Sequence, residues 1–127
     1  MLIWILSGMA VYTAIVLLPS FFLVTEIGVL GYSKGRDTEP MTSVLHGRAS
    51  RAARNMRENF PIFLALGVLA LVVEDTNMVQ AILGAKIFVL SRIAYAPAYM
   101  SAIPFARSVL YLIGLGGCIA MAAALFG

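Results

Sequence analysis

Charge is the first thing this sequence lacks. Of its 127 residues only 12% are Asp, Glu, Lys or Arg, while 61% are hydrophobic and the mean hydropathy is +0.95. Soluble domains carry about 25% charged residues. The composition therefore excludes an ordinary water-soluble globule and points to an integral membrane protein. Cysteine is equally scarce. Cys118 stands alone, which excludes an internal disulfide and any cysteine-based metal centre, and the one histidine, His46, has no ligand-type neighbour in the sequence. No metal is expected, and the two residues read as a packing group and a loop polar group. Residues 1–25 hold no charge, so the basic n-region of a cleaved signal peptide is missing and the first apolar segment is expected to remain as a span. The basic residues behind the net charge of +3 interrupt apolar runs and do not interleave with aromatics, which excludes a nucleic-acid partner. No internal repeat or linker divides the chain, so 1–127 is expected to be a single domain, and the repeated halves of many transporters are missing as well.

What is present is a series of apolar stretches long enough to span a bilayer, at about 20 residues per crossing. They predict an all-α integral membrane fold, a four-transmembrane-helix bundle with helices over 2–33, 44–73, 78–99 and 104–126. Pro19 is expected to kink the first, and Trp4 and Tyr32 to mark its two interfaces. Glu26, its only acid, is interfacial or paired with a buried cation; pairing is the expectation. Lys34, Arg36, Asp37, Glu39 and Pro40 crowd into the first loop, after which Thr42 or Ser43 can cap the second helix. That helix would be about 45 Å long at about 1.5 Å per residue, so its basic first half must project into the interface. Glu74 to Asn77 form an acidic turn. Lys86 breaks the third helix and calls for an acidic partner, Pro104 suits the start of the fourth, and Gly114, Gly116 and Gly117 suit close helix contacts. Six of the nine basic residues lie at positions 34–57, and the acidic turn has none. Positive loops stay inside, so loops one and three are expected in the cytoplasm and both termini on the opposite side.

The chemistry is concentrated in Arg48-Ala-Ser-Arg51-Ala-Ala-Arg54-Asn55-Met-Arg57-Glu58-Asn-Phe-Pro61. At about 100° per residue, Arg48, Arg51, Arg54, Asn55 and Glu58 share an arc of roughly 120°, with Arg57 at its margin. Arg48 and Arg57 can simply rest on anionic headgroups. Glu58 lies deepest, where an acid has no lipid counter-ion, and should pair with Arg54 or Arg51 or receive a ligand's ammonium group. On the third helix Arg92, Tyr95 and Tyr99 recur on one face; snorkelling and an aromatic belt are the plain alternatives to a site there. Arg107 and Ser108 open the fourth helix at the same depth, so all these groups can form one site. A single four-helix chain cannot enclose so many cations, and sites between subunits of an oligomer are the natural solution.

Arg51-x-x-Arg54-Asn55-x-x-Glu58-x-x-Pro61, then Arg92-x-x-Tyr95-x-x-x-Tyr99, then Arg107-Ser108, resembles the MAPEG family, the membrane-associated proteins in eicosanoid and glutathione metabolism. The resemblance covers nearly the whole chain. It implies a homotrimer with glutathione, as co-substrate, bound between neighbouring subunits and open to the cytoplasm. It further implies that Arg51, Arg54, Asn55 and Glu58 bind glutathione from the second helix, Glu58 at the α-amino group, and that Arg92, Tyr95 and Tyr99 bind it from the third. Arg107 would lie near the sulfur with Ser108 beside it. The sequence departs from the pattern at Asn59, where several relatives place tyrosine, and in the spacing between Tyr99 and Arg107.

Glutathione has two carboxylates, one ammonium and a thiol, so its pocket needs cations, one acid and a group that favours thiolate. Arg107 is the candidate for the last. The expected function is a membrane-bound glutathione transferase or peroxidase, with a small hydrophobic substrate arriving through the membrane lipids. The alternatives are a non-catalytic glutathione- or lipid-binding protein of the same fold, and a small transporter using Lys86, Glu26 and Arg92.

Overall fold

The computed structural model describes residues 1–33, 43–101, 103 and 105–127. Lys34, Arg36, Thr42 and Pro104 lie outside the described residues. Four helices follow one another: α1 (Leu2–Ser33), α2 (Val44–Val72), α3 (Met78–Met100) and α4 (Ala106–Ala123), closed by a 3-10 turn at Ala124–Phe126. All four are long and apolar enough to cross a membrane, counting the 3-10 turn with α4, and a helix satisfies its backbone within itself where water is excluded.

α1 departs from helical backbone angles at Gly28 (φ 73°, ψ 167°) and not at Pro19, where the sequence led us to expect the kink. That φ lies in the left-handed region, which costs glycine little. Among the described residues Glu26 does not pair with a cation. Its carboxylate accepts from the backbone N–H of Ser43, at 3.1 Å, and from the Ser43 hydroxyl. The same hydroxyl oxygen accepts the His46 N–H at 3.1 Å and so caps α2. An acid beside the positive end of a helix is favourably placed, so Glu26 braces the start of α2.

At the opposite end, Asp75 turns the chain with φ 63°. Asn77 caps α3 by accepting from the Gln80 N–H at 3.1 Å, while its own N–H reaches the Ala124 carbonyl at 2.8 Å. Among the described residues Lys86 has no acid beside it: its ammonium stands 5.6 Å from the Trp4 ring centroid, a cation–π contact in place of the expected ion pair.

The core is aromatic between α1, α2 and α3. Tyr12 stacks on Phe60 at 4.5 Å between centroids, and Phe63 on Phe88 at 4.4 Å with the planes 7° apart. Between α3 and α4 it is backbone against backbone. A Cβ at Gly84 would stand 2.5 Å from the Gly117 carbonyl oxygen, and one at Gly117 would stand 2.6 Å from that of Gly84. Only hydrogen fits at these two positions. Gly116, by contrast, faces open space.

Candidate functional site

Ala49, Ala52 and Ala53 are buried on the inner side of α2, and their small side chains let the polar half of the helix approach α3. Three polar ties then join the two helices. Arg48 Nη1 donates to the Met100 carbonyl at 2.7 Å, Arg51 Nε donates to the Tyr99 hydroxyl at 3.2 Å, and Arg92 Nη1 donates to Asn55 Oδ1 at 2.9 Å. Arg48 thus satisfies a carbonyl at the end of α3, a structural task the headgroup reading does not include. Asn59, where the family pattern differs, donates its Nδ2 to the Asn55 carbonyl at 2.8 Å and stays on its own helix.

The polar arc of α2 is split by this docking. Arg51, at the helix edge, has turned onto Tyr99, and Arg54, Arg57 and Glu58 are left exposed. Among the described residues none of these last three makes a hydrogen bond or ion pair, so the expected pairing of Glu58 with Arg54 or Arg51 does not form. Its carboxylate is free for a ligand or a neighbouring chain.

Arg92 has gone the other way. It is 1% exposed, inside the bundle, with its guanidinium 5.0, 5.6 and 5.7 Å from the ring centroids of Phe88, Tyr95 and Tyr111. Gly114 makes the room, since a Cβ there would stand 2.7 Å from Arg92 Nη2. The Nε and Nη2 groups have no partner among the described residues. Three aromatic faces and one amide oxygen hold the charge in place of a carboxylate. Arg92 accordingly stands behind Asn55 and orients it, and it neither snorkels nor lines the cleft.

In front of Asn55 the remaining residues converge. Tyr95 and Tyr99 lie 5.6 Å apart between ring centroids, and the Tyr99 ring has a guanidinium at 5.9 Å from Arg51 and another at 5.5 Å from Arg107. An open cleft of about 440 Å³ is lined by Asn55 from α2, Tyr95 and Tyr99 from α3, and Arg107, Ser108, Tyr111 and Leu112 from α4. Tyr111 went unnoticed in the sequence. Its signal was there: it follows Arg107 and Ser108 at helical spacing of i+4 and i+3, on their face of α4.

The MAPEG family profile matches residues 1–127, the whole chain. The chain belongs to the MAPEG family. No curated protein and no solved structure matches it. MAPEG membership makes it a multi-pass membrane protein of the glutathione and eicosanoid metabolism family, a family with glutathione transferases and non-catalytic members. The MAPEG pattern residues are thus divided between an open cleft at Tyr99, an exposed flank at Glu58 and a buried support at Arg92.

Proposed function

We propose that this MAPEG protein is a membrane-bound glutathione transferase, with glutathione as co-substrate. The observation that carries the reading is the pair of guanidiniums, Arg51 and Arg107, 5.9 and 5.5 Å from the Tyr99 ring centroid, with no carboxylate neutralising them among the described residues. Two uncompensated cations beside an open cleft make it receptive to an anion.

Arg51 and Arg54 supply cations for the two carboxylates of glutathione. Asn55, held by Arg92, offers its amide to the peptide, and Glu58 receives the ammonium group. Tyr95 and Tyr99 form the wall beside the cysteinyl part. Arg107, with Ser108 next to it, stabilises the thiolate, which forms as the thiol proton passes to solvent. The thiolate then attacks an electrophilic carbon delivered from the bilayer: a carbon–sulfur bond forms and the leaving group departs with the electrons of its own bond. The exposed charges of Arg54, Arg57 and Glu58 support a homotrimer, in which a second copy covers this flank and completes each site. The basic ends of α2 and α4 support a cytoplasmic opening.

Calorimetry with detergent-purified protein, followed by turnover of an aryl halide and a lipid hydroperoxide, tests the reading. Saturable glutathione binding with turnover is expected. Binding without turnover of either substrate would instead favour the non-catalytic member, and no binding would contradict both.

A further inference from the structure

Lys86 lies about 20 Å before Tyr99 along α3, at about 1.5 Å per residue, far from the cleft. Val79, Leu83, Lys86, Leu90 and Ile93 follow one another at alternating steps of i+4 and i+3 and are all exposed, so they form one outward stripe with a single charge in it. An ammonium on a membrane-spanning helix needs a partner. Among the described residues it has no acid, only the Trp4 ring, and the Trp4 indole N–H donates to nothing among them either. Met1 packs on Ala70, Ala81 and Ala124, so α1 begins level with the opening turns of α3. A helical Cβ tilts toward the N-terminus of its own helix. The Lys86 stem therefore runs back toward that end of the bundle and brings its ammonium to Trp4, at the interface of the leaflet opposite the cleft. Two donors, one of them charged, thus stand together at headgroup depth, and Leu90 and Ile93 continue the stripe toward the bilayer centre.

We propose that Lys86 and Trp4 form a binding site for an anionic phospholipid, its phosphate held by the Lys86 ammonium and the Trp4 indole N–H and its acyl chains along Leu90 and Ile93. A headgroup without a cation of its own suits the site best, since a choline would set a second positive charge beside Lys86. The other source of an anion is a carboxylate from a second copy, and Glu74 and Asp75 are exposed at this end. The α3 stripe does not favour it. The exposed flank with several charges, Arg54, Arg57 and Glu58, is on α2, whereas the stripe is apolar apart from Lys86, as a face against acyl chains is. The site does not depend on the glutathione reading.

Trp4 is the one tryptophan of the chain, so its fluorescence reports this place alone. The measurement is quenching of Trp4, in phosphatidylcholine bilayers, by phosphatidylglycerol carrying bromine near the headgroup end of its chains, against quenching by phosphatidylcholine brominated at the same positions. Bromine quenches only near contact, so lipids gathered on the Arg48 to Arg57 segment at the other end go unseen. Phosphatidylglycerol is expected to take the place beside Trp4 about fivefold more strongly, equivalent to about 1 kcal/mol at about 1.4 kcal/mol per tenfold. Lys86→Gln should abolish the preference and Lys86→Arg should keep most of it. Both variants retain the reporter. Equal quenching by the two lipids in wild type, or a preference that survives Lys86→Gln, would overturn the proposal. Weak quenching by both lipids would show the position covered by a neighbouring chain and would overturn it as well. Should Lys86→Gln fail to fold, wild type and Lys86→Arg decide: a preference lost in Lys86→Arg would overturn it.

Discussion

Arg92 and Glu58 are both charges on membrane helices, yet the fold treats them in opposite ways. Arg92 is buried on three rings with, among the described residues, a single hydrogen bond, to Asn55. Asn55→Leu would leave it with none, and a buried donor so orphaned costs about 1 to 3 kcal/mol. We therefore expect a clear loss of thermal stability in detergent for Asn55→Leu, against a change within about 0.5 kcal/mol for Arg54→Leu on the exposed flank. Glu58 has no partner among the described residues, so Glu58→Gln should leave folding unchanged. In the proposed site it loses one charge-assisted contact, about 1.5 to 3 kcal/mol, and glutathione affinity should fall roughly ten- to hundredfold by calorimetry. A variant that failed to fold would assign Glu58 a structural role. The contrast between these residues was not legible in the sequence. Helical spacing puts side chains on an arc, but which edge of the arc docks depends on where α3 lies, and the alanines at 49, 52 and 53 show this only once α3 is in place.

Among the helices, the closest contact is the one with the least side chain in it. Gly84 and Gly117 bring α3 and α4 to backbone contact, and that pairing sets Tyr95 and Tyr99 opposite Arg107 and Ser108. Gly84→Leu should force the helices apart, cost about 1 to 3 kcal/mol or more and open the cleft, whereas Gly116→Ala should be tolerated because nothing lies within 4 Å. Thermal unfolding in detergent of the two variants, side by side, checks this. The four spans could be read from uncharged length, and the glycine group from its composition. Which glycine packs could not, since Gly116 differs from Gly117 only in the side of α4 it occupies. Proline is the stronger sign of a kink, but the break in α1 sits at Gly28, where a left-handed φ costs little. The Glu26 to Ser43 brace spans a loop whose path no local pattern specifies.

The whole molecule leaves charges exposed on a helix of membrane-spanning length, and in a bilayer such groups need a partner. Native mass measurement in mild detergent should give three copies; a stable monomer that still binds glutathione would refute the assembly. At this scale the sequence was most legible, because a family pattern spread over three helices identifies the fold even where it does not tell that a side chain such as Arg92 is buried. In the proposed site Arg107 holds glutathione as a thiolate. This is tested most directly by titrating the ultraviolet thiolate absorbance of bound glutathione against pH, in wild type and in Arg107→Ala. A free thiol has a pKa of about 8.5. With the guanidinium beside the sulfur, a value about two units lower is expected in wild type, equivalent to about 2.7 kcal/mol at about 1.36 kcal/mol per unit, with a return toward the free value in the variant. Thiolate forming at the same pH in both proteins, near that of free glutathione, would contradict it.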